Sequence, residues 1–360
     1  MQGTARAPAR PISRPLVNRQ LAELLARAAE ASEGNKQRAF RRAARRALLW
    51  PIEAADLVAE GRSLTELVAV GPFVGRQIHE WLRDPPAVPD PPPSRTGFIS
   101  YAEAREIVAA HPEWENGLRG DLQMHTTYTD GGGTIAEMVE AAEPLGHEYI
   151  ALTDHSQQLK IAKGMNEAGF ATQDREIAAT NAGLAAAGKT LRVLRGIEMN
   201  VSTEGAGDMD EGFLAGRDIV LGAFHGQLRK TDDQTERYLK ALANRTVDVH
   251  AHPRGRIWNF RLGLSADWRR VVERATELDK AMEIDAYPDR QDLNVEILRL
   301  AAETGCRISI GTDAHTPSEL FVVWLGVAAA ILAGLRREQV LNYRTVDELR
   351  AWVARRRARA

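Results

Sequence analysis

The sequence predicts an α/β fold, a parallel sheet or an α/β barrel, preceded by a small all-α module. Three observations carry this reading. After residue 95, short runs rich in Val, Ile and Leu alternate with amphipathic stretches, the pattern of parallel strands joined by crossover helices. Before residue 83 the apolar residues recur with a helical period. Between them lies RDPPAVPDPPPSR (83–95), a proline-rich stretch of the kind that acts as a semi-rigid spacer.

In chain order, MQGTARAPARPISRP carries charge with no apolar segment behind it, so residues 1–15 read as a disordered tail rather than a secretory leader. Helical patterns follow over 16–30, 36–49, 52–60, 64–68 and 75–82, which together make one module across 16–83. Residues 84–117 read as linker and connecting helix. From 118 to 345 the runs EYIALTD, TLRVLRGIEM, RDIVLGAF, VDVHAHP, KAMEIDAY and CRISIGTD predict strands. Helices such as TIAEMVEAAEPLG and DLNVEILRLAAETG lie between several of them, and 346–360 predicts a basic C-terminal helix.

The 360 residues suffice for one large domain and a smaller one, and 44% apolar with 27% charged residues excludes wholesale disorder. No run approaches the roughly 18 apolar residues of a membrane helix, so a cytoplasmic location is expected. Cys306 is the only cysteine, which rules out an internal disulfide and leaves metal binding to His and carboxylates; in ETGCRISI it reads as a buried strand-edge thiol. Net charge is −2, but residues 1–95 hold 15 Lys+Arg against 10 Asp+Glu, so the remainder is the acidic part.

Five of the nine histidines are candidate ligands: His155, His225, His252 and His315, at or just after a predicted strand, and His125 in DLQMHTTYTDG. Asp130, Glu198 and Asp313 share those contexts. In barrels the functional side chains gather at the C-terminal ends of the strands, and eight imidazoles and carboxylates exceed what one ion takes. They point to a site for two or three divalent metals, Zn, Mn or Fe. His79, His111, His147 and His250 lack this context and read as surface or core, although the strand period would set His250 on the same face as His252.

The motifs GDLQMHTTYTDG, EYIALTDHS, LRGIEMN, DVHAHPRGR and SIGTDAHT resemble, in order and spacing, those of the polymerase-and-histidinol-phosphatase (PHP) family, over residues 118–343. With AMEIDAYPDRQDLN, they are similar to the PHP domain at the C-terminus of bacterial family X DNA polymerases. The resemblance implies a distorted (β/α)7 barrel with three metals at the strand ends. It implies that position 123, His125, Glu198 and Asp313 hold the first metal, that Glu198 bridges to a second held by His225 and His252, and that Asp130, His155 and His315 hold the third. One position departs from the pattern: the family's first motif begins His-x-His, and here it reads Gln123-Met124-His125. A neutral amide oxygen is a poorer donor than imidazole for zinc-like ions, so the first metal is expected to bind weakly or be absent. Paired metals activate water and clamp phosphate oxygens, which makes phosphate esters the expected substrates. Arg254 and Arg256, just after His252, are candidates for a fork on a phosphate oxygen.

In QRAFRRAARRALL, Arg38, Arg41, Arg42, Arg45 and Arg46 form one helical stripe suited to a phosphate backbone. LTELVAVGPFVGRQIHEWL resembles a helix-hairpin-helix, with Gly71-Pro72 in the turn and Ala69 where that motif has its first Gly. The stretch 16–82 is similar to the small N-terminal domain of family X polymerases. Gln77 stands at the position of that domain's lyase lysine, and without an amine no Schiff base forms. The chain passes directly from this module to the barrel, which leaves no length for palm or fingers. The expected activity is a metal-dependent phosphoesterase at DNA 3′ ends, a 3′–5′ exonuclease or 3′-phosphatase in repair, with DNA as partner. The alternatives are a small-molecule phosphatase of the histidinol-phosphatase type and a degenerate barrel that binds DNA without catalysis.

Overall fold

The computed structural model describes residues 15–359. The tail expected over 1–15 therefore lies outside the described residues except for Pro15. The chain divides into two compact units, one ending at Asp90 and the other beginning at Pro91.

The first unit holds α1 (Asn18–Glu30), α2 (Gly34–Ala47), α3 (Ala54–Ala59), a 3-10 turn (Leu64–Glu66) and α4 (Pro72–Arg83). Its core is Leu21, Leu25, Phe40, Ala43, Ala47, Trp50, Leu57 and Ile78. Polar groups buried with this core are paired, as burial requires. Asn18 donates its backbone N–H to Glu53 Oε2 at 2.6 Å and its side chain to Ile52 O, and it accepts from Ala54 N at 2.9 Å. Trp50 Nε1 donates to Val68 O at 3.0 Å. Pro72 opens α4 at its first turn, where a missing N–H costs nothing. Ala69 takes a left-handed φ of 67°, the conformation for which glycine is the natural choice.

Among its described residues the second unit contains eight strands: β1 (Gly120–Met124), β2 (Tyr149–Leu152), β3 (Arg192–Arg195), β4 (Glu198–Asn200), β5 (Leu221–Ala223), β6 (Val249–Ala251), β7 (Ala281–Asp285) and β8 (Arg307–Gly311). They form two all-parallel sheets, β1-β2-β3 and β4-β5-β6-β7-β8. The run TLRVLRGIEM, expected as one strand, is split at Gly196-Ile197. A Cβ at Gly196 would lie 2.7 Å from Leu152 O, so the chain passes close to the end of β2 there and then re-enters as β4. Bridges His155–Glu198 and Met124–Ala314 link the two sheets at both ends, and His125 N donates to Ala314 O at 2.9 Å. β1 has no counterpart among the six expected strands, because Asp121 and Gln123 interrupt its apolar pattern.

Helices Ile135–Ala142, Glu167–Ala186, Thr235–Ala243, Trp268–Glu277 and Val295–Thr304 follow strands, as the alternation predicts. Residues from Pro91 pack within this unit, and Arg95 is buried with Nη1 2.7 Å from Asn259 Oδ1. The helix Val346–Arg359 buries Trp352 against the strand core, and its Arg356 is buried with Nε 2.8 Å from Asp248 Oδ1. Its basic character is thus partly internal. Cys306 is buried just before β8, where burial pushes its thiol up to about 12. No helix among the described residues is long and apolar enough to cross a membrane.

Candidate metal centre

Glu198 is the hub. It is fully buried at the start of β4, and four imidazoles and one amide converge on its carboxylate. Oε1 faces His252 Nε2 at 2.7 Å and His225 Nε2 at 2.9 Å. Oε2 accepts from Gln123 Nε2 at 2.9 Å and faces His125 Nε2 at 3.3 Å and His155 Nδ1 at 3.7 Å. Asp313 extends the group on one side, with Oδ1 3.0 Å from His125 Nε2. Asp130 extends it on the other, with its two oxygens 3.5 Å from His155 Nε2 and 3.6 Å from His315 Nε2. The rings of His125 and His155 stack at 4.3 Å. All eight side chains expected as ligands therefore meet in one place, together with Gln123.

Local chain geometry puts them there. His125 directly follows β1, His225 and His252 follow β5 and β6 within two residues, and Asp313 and His315 follow β8. His252 and Asp313 hold positive φ values, strain of the kind stored at functional sites. That turn also separates His252 from His250, which stays on β6 between Phe224 and Tyr238, at ring distances of 4.8 and 5.4 Å. Gly311 has no room for a side chain, since a Cβ would sit 2.5 Å from Gln123 Cβ and 2.6 Å from Glu283 Oε1.

The electrostatics suit cations. Burial pushes His155 down to about 3, which leaves a neutral imidazole ready to ligate. Burial alone would also lower His125, but the hydrogen bonds and charges of Asp313 and Glu198 raise it well above its ordinary value. Two carboxylates converging on one buried nitrogen demand a positive charge between them. Glu198 and Asp313 are held well below the usual carboxylate range, against the pull of burial, by the surrounding histidines and, for Asp313, chiefly by Arg290. Three triads have ligand atoms all within 4.8 Å of one another: His125/His155/His315, His155/Glu198/His225 and His125/Glu198/Asp313. The donor set of imidazoles and carboxylates, with buried atoms such as His155 Nδ1 and Asp313 Oδ2 lacking a hydrogen bond, fits divalent metal ions.

The two arginines expected to fork a phosphate donate to backbone carbonyls. Arg256 is buried, donating from Nε to Arg290 O at 2.7 Å and from Nη2 to Gly97 O at 2.9 Å, with its guanidinium 3.8 Å from the Phe98 ring centroid. Arg254 donates to the carbonyls of Leu262 and Leu264. Arg254 thus serves the loop after β6, and Arg256 ties that loop to the segments around Gly97 and Arg290, because a guanidinium satisfies several carbonyls at once.

The arginine at the cluster is Arg290, which sequence reasoning missed. Its Nη1 lies 3.2 Å from Asp313 Oδ2, its Nε 3.7 Å from Asp285 Oδ2, and 27% of its side chain remains exposed. The signal was the charged loop directly after KAMEIDAY. Supporting residues were also missed. Asn200 Oδ1 lies 2.5 Å from His225 Nδ1 and fixes that ring. Buried Asp154 accepts from Thr126 N at 2.9 Å and from the Thr126 hydroxyl at 2.7 Å, which braces the loop from His125 to Asp130. Glu319 accepts from His315 N at 2.9 Å.

In the first unit Arg38, Arg41, Arg42, Arg45 and Arg46 are all exposed on α2, opposite buried Phe40, Ala43, Ala44 and Ala47. Gly71 stands immediately before α4, and Gln77 is half-buried, its Nε2 3.4 Å from Glu80 Oε2.

Comparison with known proteins bears on the family. The family model described as "PHP domain" matches residues 121–287. A Bacillus subtilis protein named DNA polymerase/3'-5' exonuclease PolX is 37% identical over 239 residues, which are 66% of this chain and 41% of that protein. The chain thus spans well under two thirds of that relative. A probable phosphatase of Acetivibrio thermocellus is 30% identical over 210 residues, 56% of this chain and 80% of that protein. Among solved structures, histidinol phosphate phosphatase from Lactococcus lactis, complexed with zinc, L-histidinol and phosphate, is similar with a TM-score of 0.47 at 16% identity, over 61% of this chain and 95% of that one. With the domain model running through Glu198 and a relative matched over four fifths of its length, the chain belongs to the PHP-domain family of phosphoesterases.

Proposed function

We propose that this protein is a metal-dependent phosphoesterase acting at DNA 3′ ends, as a 3′–5′ exonuclease or 3′-phosphatase in repair. The observation that carries the reading is a buried carboxylate, Glu198, ringed by histidines, in a chain whose other unit exposes five arginines along α2. The relative named as a 3'-5' exonuclease supports it. In this reading the parallel sheets close as a distorted (β/α)7 barrel, with β3 and β4 as one interrupted stave. The first unit is a helix-hairpin-helix domain that holds the DNA backbone through the α2 arginines and the Gly71 turn.

His125, Glu198 and Asp313 would hold one ion, Glu198 with His225 and His252 a second, and Asp130, His155 and His315 a third; Zn, Mn and Fe suit these donors. Bound in pairs, such ions lower the pKa of water and neutralise charge on the phosphate. The protein's own residues do the rest. Asn200 orients His225, Asp154 braces the first ligand loop, and Arg290, partly exposed beside Asp313, offers N–H donors to a phosphate oxygen. The purified chain with Mn²⁺ is expected to release label from 3′-labelled oligonucleotides or phosphate from 3′-phosphorylated ones. Absence of both metal-dependent products sinks the reading.

The Acetivibrio relative favours a second reading, hydrolysis of small phosphate esters. Deleting residues 1–90 separates the two, since only the second reading expects unchanged turnover on small esters and no DNA affinity in the full chain.

A further inference from the structure

Among the described residues of the second unit, four large apolar side chains are exposed: Ile161, Phe260, Leu262 and Leu332. Three of them stand on loops that leave the cluster. Ile161 lies on the loop after His155, and Phe260 and Leu262 lie on the loop after His252. Single exposed apolar residues are ordinary, but two within three positions on one loop that follows a candidate ligand are less so.

Phe260 is the most specific of the three. It is 61% exposed, yet the turn that bears it is rigidly held. Ile257 and Arg261 pair through two backbone hydrogen bonds of 2.9 Å, Trp258 N donates to Asp289 O at 2.6 Å, and Asn259 N donates to Ser94 O at 2.9 Å. Trp258 is buried as the anchor, and Asp289 adjoins Arg290. The loop after His225 leans on the same turn's base, with Leu228 3.0 Å from where a side chain on Gly255 would begin. That loop brings the Arg229 guanidinium 4.6 Å from the Phe260 ring centroid; Lys230 beside it is exposed and pairs with Asp232 at 3.7 Å. A fixed, exposed ring flanked by a guanidinium offers a flat apolar surface beside a positive charge. Unpaired nucleobases fit such a surface, because every base has a π-face and is followed by a phosphate. Paired bases do not, since their faces are already stacked within the duplex.

We propose that Phe260, flanked by Arg229, stacks an unpaired base at a single-stranded 3′ end and so sets the substrate preference of the metal centre. This rests on the DNA-end reading above and narrows it to frayed or single-stranded termini. Holding the ring rigid before binding removes an ordering cost, which is the advantage of building it on a pinned turn.

The test uses the full chain with Mn²⁺ and two labelled single strands of equal length, one intact and one with abasic sites at its last two nucleotides. Phe260→Ala is expected to raise KM on the intact strand roughly ten-fold and on the abasic strand by no more than about two-fold, whereas Phe260→Trp keeps the wild-type KM on both. An equal change on both strands, or none on the intact strand, overturns the proposal while leaving the DNA-end reading in place. If the wild-type chain forms no product from either strand, both fall together.

Discussion

Gln123 donates its side-chain amide to Glu198 Oε2 over 2.9 Å, the oxygen that also faces His125 at 3.3 Å. A neutral side chain thus stands on the carboxylate at the heart of the cluster, at the position where the resemblance implies an imidazole ligand. Gln123 Oε1, buried, makes no hydrogen bond. Gln123→His exchanges this amide for a stronger donor beside His125 and Asp313. The expected outcome is greater retention of divalent metal after dialysis, read by elemental analysis, with turnover per chain rising alongside. Unchanged metal content in a folded variant would contradict the placement of position 123 at a metal.

Arg290 and Arg256 are expected to separate cleanly. Arg290→Ala removes the cation paired with Asp313 and should lower kcat/KM roughly 10²-fold or more, the scale of losing one preorganised donor, with Arg290→Lys restoring part of it. Arg256→Ala strands the carbonyls of Arg290 and Gly97 and should cost about 2–3 kcal/mol of stability. Steady-state kinetics beside urea unfolding of each variant checks both.

Ala69 pays for a left-handed backbone that glycine adopts freely. Ala69→Gly should stabilise the first unit by about 1 kcal/mol, visible as a higher urea midpoint. A lower midpoint would show that the methyl group contributes more than the conformation costs.

His147 is buried, neither ring nitrogen makes a hydrogen bond, and burial pushes it down to about 4. The unfolded chain, titrating near 6.5, then binds the proton that the folded chain refuses, so this residue destabilises the fold as pH falls from about 6.5 through 4. His147→Leu should reduce that acid loss by up to roughly 3 kcal/mol, measured as the difference between unfolding free energies at pH 7 and pH 4.5. A variant whose stability falls as steeply as wild type would remove His147 from the account.

Much of the site was legible in the chain because each ligand sits beside an apolar run, and a charged or imidazole side chain at a strand end is conspicuous against Val, Ile and Leu. His155, Glu198, His225, His252 and Asp313 stand out on that basis, and they meet around one carboxylate. The helical period likewise placed the α2 arginines on one face, because a short-range period is a property of the sequence itself. What the sequence left undecided were the pairings made through space. Arg254 and Arg256 follow a ligand directly, yet Arg254 turns back into its own loop and Arg256 reaches the carbonyls of Gly97 and Arg290, far away in sequence. Arg290 follows no ligand and still reaches Asp313, because parallel strands bring the loops after β7 and β8 side by side. His250 and His252 differ by two positions and part company where β6 ends and the backbone turns. Residue type and period are local and can be read one position after another. Which charge neutralises which depends on the distance between loops far apart in the chain, and only the folded structure sets that distance.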